Sequence, residues 1–289
     1  MKNRAFIYII LAGMLWGTSG LFVHFLAPFG LNALQMASIR GTVSAVCMVL
    51  YALIKNKSLF RLNKKQLAMY IAGGVFVYLT GSFYYAAIQA SSVSTAVVLM
   101  YTAPIFVMIY SVAFLGEKLN KLKVISVICM IVGCGLVSGI IGGLKFSVWG
   151  IVLGFASGIA YSSYNIVTKI QMKNKCNPMS SSMYCFIFMT LISFAVTPPG
   201  KIISVAVANP ISVPVMIGCG LCTCILPYIF YTLALKVLPA GTASSLAVVE
   251  PMAATVYSVV LLGEKLSVYS LAGIVLILSA VFMLSKSEY

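Results

Sequence analysis

Of the four acidic residues in this 289-residue chain, Glu250 alone lies deep in an apolar run rather than beside a loop. Pro251 follows it directly. An ionisable side chain at the centre of a bilayer costs a few kcal/mol, ~3 on insertion scales, and is a functional-site candidate by default. Glu250 can bind a cationic group or release a proton when substrate arrives. The competing reading is a protonated acid that bonds a neighbouring helix and closes a packing gap. Pro251 and Pro104 each remove a backbone donor and loosen the preceding turn, which leaves either a hinge with carbonyls facing a cavity or a static kink. Trp16, Tyr101 and Tyr161 fall near the middle of their apolar runs, away from the headgroup levels where aromatic belts collect. Rings facing one carboxylate can enclose an organic cation or stack an aromatic amino acid or base, although each ring can equally be packing. Asn165, one helical turn beyond Tyr161 on the same face, can offer its amide to a polar substrate group or hydrogen-bond between helices. Tyr84 and Tyr231 fall nearer opposite ends of their runs and are candidate gates. Arg40 can pair with a substrate carboxylate or snorkel to the interface, and the second is the plainer account.

The elements that must position these residues are membrane helices. The chain is 62% hydrophobic and 8% charged, which does not describe a water-soluble surface. A span needs roughly 20 apolar residues, and that rule predicts ten: 5–26, 33–54, 66–88, 92–114, 123–141, 148–170, 179–197, 211–235, 241–262 and 268–285. Around Thr197 to Pro210, three prolines and a glycine predict a loop or a short surface helix. The net charge of +15 does not imply nucleic acid, because the basic residues are scattered between apolar runs rather than gathered on one face. Their distribution orients the chain instead. With the N-terminus cytoplasmic, 15 lysines and arginines fall inside and three outside (Lys145, Lys201 and Lys265), with Arg40 within a helix. Both termini are therefore expected in the cytoplasm. The eight cysteines lie mostly inside apolar runs and read as packing residues rather than disulfides or a metal site.

The chain also repeats itself. Pro104, Tyr110, Ser111, Val112, Leu115 and Gly116-Glu117-Lys118-Leu119 precede Pro251, Tyr257, Ser258, Val259, Leu262 and Gly263-Glu264-Lys265-Leu266 by one constant offset. Phe83, Tyr84 and Ala87 precede Phe230, Tyr231 and Ala234 by the same offset, and Gly13 and Trp16 match Gly158 and Tyr161 at a slightly shorter one. Five helices per half force the second copy to enter the membrane upside down. The expected fold is an all-α integral membrane protein of two inverted five-helix repeats, residues 1–141 and 148–289. Such repeats place a site near the bilayer midplane between the halves and alternate between two openings. Glu117 and Glu264, in the two Gly-Glu-Lys-Leu endings, are expected to favour a helix N-terminus and to have no role in binding.

Leu15-Trp16-Gly17, the Glu250-Pro251 pair and the two Leu-Gly-Glu-Lys-Leu endings, in this order over two five-helix halves, resemble the EamA-type branch of the drug/metabolite transporter superfamily. The resemblance covers nearly the whole chain. It implies a central cavity lined chiefly by the first, third, fourth, sixth, eighth and ninth helices, and cargoes such as amino acids, nucleosides or organic cations, often moved outward. The first half departs from the pattern, with Ala103-Pro104 where a Glu-Pro pair would stand, so the carboxylate chemistry is asymmetric.

The expected function is secondary transport of a small organic metabolite across the plasma membrane, with export of amino acids or related metabolites ahead of choline-like cations. A coupled proton is one expected partner besides the substrate and the lipid bilayer. A channel or membrane sensor is the alternative from another class. An enzyme is not expected: with no aspartate and one central carboxylate, neither a metal site nor a nucleophile with its base can be assembled. No cofactor is expected, and no Walker A loop supports ATP hydrolysis. A fluorescent protein fused to the C-terminus should glow and alkaline phosphatase fused there should be inactive. The reverse pair of results would overturn the orientation.

Overall fold

The computed structural model describes residues 2–62, 64–91, 96, 99–137, 147–263 and 267–286. All regular structure among them is helical: α1 Lys2–Gly17, α2 Ser19–Leu26, α3 Ala33–Lys55, α4 Lys64–Ala90, α5 Ala103–Tyr110, α6 Lys121–Val137, α7 Val148–Lys173, α8 Pro178–Val196, α9 Gly200–Ala208, α10 Ser212–Gly220, α11 Leu226–Leu235, α12 Ala240–Leu246, α13 Val249–Leu262 and α14 Val268–Lys286. Two π-turns, Ser111–Leu115 and Leu221–Ile225, continue α5 and join α10 to α11. The short helix α9 fills the stretch expected as a loop or surface helix.

Among the described residues, seven segments are long and apolar enough to cross a membrane: Lys2–Phe29, Leu34–Lys55, Gln66–Tyr84, Val148–Lys173, Pro178–Val196, Ser212–Leu235 and Ala240–Leu261. The other three expected spans overlap the shorter helices α5, α6 and α14. Residues 92–95 and 97–98 of the span expected over 92–114 lie outside the described residues, as do 138–141 of the span over 123–141. Large apolar side chains point outward along most of these helices, including Ile54, Phe114, Trp149, Val260 and Phe282. An exposed apolar surface on this scale is what lipid covers.

Local sequence explains where helices start and stop. Asn32 caps α3 in a reciprocal capping box with Gln35, and Asn177 caps α8, each meeting N–H groups that the first turn leaves without partners. Gly116 and Gly263 take left-handed φ angles of 66° and 70° and end the matched helical segments of the internal repeat in the same way. Residues Glu264, Lys265 and Leu266 lie outside the described residues. Buried hydroxyls bond carbonyls on their own helices, as Thr190 does to Phe186 at 2.8 Å and Ser162 to Gly158 at 2.6 Å, so fewer polar groups need solvent.

Helices meet closely where small residues allow it. A Cβ on Gly17 of α1 would lie 2.9 Å from the Ala254 nitrogen and 3.0 Å from the Glu250 carbonyl oxygen, so only glycine lets α1 seat against the start of α13. One turn earlier, a Cβ on Gly13 would lie 3.3 Å from the Glu250 nitrogen. Its counterpart in the repeat is Gly158 of α7, where a Cβ would lie 3.3 Å from the carbonyl oxygens of Leu99 and Met100, just ahead of α5. Gly17→Ala should therefore lower stability by about 1–3 kcal/mol through overpacking, read as a lower melting temperature in detergent. Gly200→Ala, with nothing within 4 Å of the added carbon, should leave that temperature nearly unchanged. Equal melting temperatures for the two variants would contradict this packing.

Candidate functional site

The run expected as one helix over 241–262 is two helices, α12 and α13, separated by a turn at Ala247 and Val248. Pro251 has no N–H to give the Ala247 carbonyl four residues back. That oxygen instead accepts from the Glu250 N–H at 3.0 Å, and the Val248 N–H turns to Ser245 at 3.1 Å. Glu250 thus stands in the first turn of α13, not near the middle of a continuous helix. The first half breaks in the same way. Tyr101 and Thr102 form a turn before α5, with Thr102 N–H on Leu99 at 3.2 Å and Ile105 N–H on Thr102 at 2.9 Å, and Pro104 lies just inside the new helix. Both prolines are buried.

The two breaks bring the candidate residues together. The Tyr101 hydroxyl is buried and makes no hydrogen bond of standard geometry, and the charged group within its electrostatic reach is the Glu250 carboxyl. Tyr161 on α7 also lies within reach of Glu250, and beside Asn165 and Tyr231. Glu250 and Tyr161 keep part of their surface accessible, whereas the groups behind them are sealed. Asn165 is fully buried and both ends of its amide are used. Its Oδ1 accepts from the Tyr231 hydroxyl, and its Nδ2 donates to the Tyr161 carbonyl at 2.7 Å.

An aromatic wall continues from this bond. Trp16 meets Tyr231 at a centroid distance of 5.5 Å and Tyr228 edge-on at 5.3 Å. Tyr228 in turn meets Tyr164 at 5.5 Å and Phe186 at 5.4 Å. These separations suit edge-to-face packing, so the wall is held from behind.

Arg40 is placed differently from the snorkelling account. Its Nη2 donates to the Thr223 carbonyl at 3.0 Å, and Thr223 lies midway along the span Ser212–Leu235. The guanidinium therefore points into the bundle. Glu250 and Tyr228 are both within its electrostatic reach.

Of the residues singled out from sequence, Glu250, Tyr101, Tyr161, Trp16, Asn165 and Tyr231 share one cluster. Tyr231 was placed near an end, as a gate, but lies inside the cluster with no exposed surface. Of the two readings open for Asn165, the interhelical hydrogen bond is the one present, and its amide braces two tyrosines. Tyr84 is half-buried and within reach of Tyr101. Sequence reading missed Tyr164 and Tyr228, although each stands one helical turn from a residue it chose, Tyr161 and Tyr231. It also passed over Lys169, buried with its ammonium donating to the Leu235 carbonyl at 2.8 Å and to that of Leu238. Glu117 does cap a helix N-terminus, but a distant one, its Oε1 accepting the Ala240 N–H of α12 at 2.9 Å.

Membrane helices broken at mid-depth around an ionisable group are the construction of secondary transporters. Comparison with known proteins agrees. The model of the EamA-like transporter family matches residues 3–139 and 148–286, so the chain belongs to that family, a branch of the drug/metabolite transporter superfamily. It is a multi-pass membrane transporter. Among its relatives are the "Uncharacterized transporter YwfM" of Bacillus subtilis, 22% identical over 99% of this chain and 96% of the relative, and an "Uncharacterized transporter" of Archaeoglobus fulgidus, 26% identical over 95% and 94%. A third, from Clostridium kluyveri, is 24% identical over 96% and 91%. A protein of known crystal structure shares the fold with a TM-score of 0.80 over 99% of this chain and 98% of its own, at 16% identity.

The Tyr231–Asn165 bond offers a direct check. Tyr231→Phe leaves the Asn165 oxygen buried and unpaired, and should cost about 1–3 kcal/mol. Pairing it with Asn165→Leu should recover much of that loss, measured by thermal unfolding of the purified protein. A Tyr231→Phe melting temperature equal to wild type would show that the bond contributes nothing.

Proposed function

We propose that this protein is an alternating-access secondary transporter of amino acids or related metabolites, with export as the direction that the family resemblance implies. One observation carries this reading: Glu250 stands in the first turn of a broken membrane helix, partly accessible, with Tyr101 and Tyr161 in reach. In the proposed cycle Glu250 takes the ammonium of the substrate and gives up a proton as it does so, while Trp16, Tyr101 and Tyr161 receive the side chain. Asn165 and Tyr231 hold those rings in place. Pro104 and Pro251 are the hinges, and Tyr84 gates the path to Tyr101.

The topology belongs to the same proposal: ten spans in two inverted five-helix repeats, residues 1–141 and 148–289, with both termini in the cytoplasm. Its support is the symmetry of the breaks, each just before a proline and each covered by a glycine of the opposite half. Two states related by rocking one half against the other expose such a midplane site alternately.

A second reading is transport of a quaternary ammonium compound such as choline, favoured by rings gathered round a single carboxylate. Proteoliposome counterflow with amino acids and choline tests both. Wild type should show saturable exchange, which a channel does not. Glu250→Gln should abolish transport of every substrate that carries a positive charge. Wild-type exchange by that variant for all accepted substrates would reduce Glu250 to a packing residue.

A further inference from the structure

We propose that Glu117 is the cytoplasmic latch of the transport cycle: its bond to Ala240 holds α12 against α5 while the cytoplasmic side is closed, and breaks when the seam between these helices opens. The proposal rests on the transporter reading and the topology above, and adds to them the residue that controls access to the site.

Glu117 stands half-buried just after the π-turn that continues α5, with its own N–H on the Ser111 carbonyl at 3.1 Å. Its side chain reaches into the second half of the chain, where Oε1 accepts the Ala240 N–H at 2.9 Å. A Cβ on Gly241 would lie 3.9 Å from the other carboxylate oxygen and 3.2 Å from Met108 Cγ. The carboxylate therefore sits at the rim of the line along which α12 packs on α5. In the proposed topology α5 runs towards the cytoplasm and α12 starts from it, so this rim is a cytoplasmic mouth between the halves. α12 leads directly through the turn at Ala247 and Val248 to Glu250, so one short helix joins the latch to the site.

The seam behind the carboxylate is one that can part. α12 reads Ala-Gly-Thr-Ala-Ser-Ser-Leu, with Leu246 its one large side chain, so little apolar area holds it. Ser244 stands three residues after Gly241 and Ser111 three after Met108, which puts both on the facing sides. Their hydroxyls are buried and make no hydrogen bond. A buried polar group without a partner is destabilising, and water entering an opened seam would satisfy both. Against this stands one charge-assisted bond at the rim, about twice as strong as a neutral one. A seam whose interior gains by wetting and whose rim is held by a single strong bond has two states close in free energy. Other bonds between the halves, Gln171 to the Met69 carbonyl, Ser180 to that of Leu59 and Tyr184 to that of Phe60, join α7 and α8 to α4 and the turn before it, and do not involve α12.

The test is thiol labelling in the seam of the full-length protein. Ser244→Cys is exposed to a membrane-impermeant maleimide in inside-out vesicles, and mass spectrometry reads modification at position 244 separately from the native cysteines. Ser182→Cys on α8, outside the seam and likewise replacing a buried hydroxyl without a partner, is the control. Labelling at 244 should be slow with Glu117 in place and about tenfold or more faster with Glu117→Ala, the scale of a bond to a charged group. Glu117→Gln, which keeps an acceptor but not the charge, should fall between. Ala240→Pro removes the same bond from the donor side, at a first-turn position that suits proline, and should match Glu117→Ala. Labelling at 182 should not change. Equal rates at 244 in every background overturn the latch and leave the transporter reading and the topology standing. Rates that rise together at 244 and 182 make the bond a general brace and overturn the latch too. Faster labelling only in right-side-out vesicles overturns the topology on which the proposal rests. Faster labelling in a protein whose wild type exchanges neither amino acids nor choline by counterflow overturns the transporter reading, and with it a latch for transport.

Discussion

A proline inside a membrane helix withholds one N–H from a carbonyl that hydrocarbon cannot solvate. Much of this structure is a response to that constraint, imposed twice. At Pro251 the Ala247 carbonyl finds the Glu250 N–H instead, and the helix restarts with a carboxylate in its first turn. At Pro104 the chain restarts with Tyr101 in the turn. Neither arrangement is stable in lipid alone, so another helix has to cover each break, and the covering helix can approach only where it has no side chain. Gly13, with Gly17 one turn on, and Gly158 meet that need from opposite halves of the chain. The position of α1 against α13, and of α7 against α5, follows from the same two prolines.

Covering the breaks also creates the site. Glycine at the contact brings Trp16 and Tyr161, its neighbours along those helices, up to the broken turns. Rings arriving from both sides leave Glu250 and Tyr161 partly accessible while Asn165 and Tyr231 are sealed behind them. The buried amide–hydroxyl bond is then a brace, since every donor and acceptor it uses would otherwise be stranded in a low-dielectric interior.

Charges away from the site obey the helix dipole across the two halves. Glu117 meets the N-terminal N–H of Ala240 in α12. Lys169 meets carbonyls at the end of α11 and Lys173 meets the Leu115 carbonyl after α5 at 3.1 Å. Acid at a helix start and base at helix ends tie together elements far apart in the chain. The Gly-Glu-Lys-Leu ending is thus more than a stop signal in the first half, where its glutamate joins the halves.

Hydropathy marked most of the long spans, and a constant offset between matched residues exposed the repeat, because both are properties of residues near one another in the chain. Side-chain type and depth also picked out Glu250, Tyr101, Tyr161 and Trp16. Burial of an ionisable or aromatic group at mid-span is a local signal that lipid makes costly to ignore. What the sequence left open was set by contacts between distant segments. Whether Asn165 faces substrate or braces Tyr231, whether Arg40 snorkels or turns to Thr223, and which helix Glu117 caps all depend on partners more than sixty residues away, or well over a hundred. The break before Glu250 lies between these cases. Pro251 announces a weakened turn in the sequence, but a full interruption needs another helix close enough to shelter the freed backbone, and the packing of α1 through Gly13 and Gly17 supplies it.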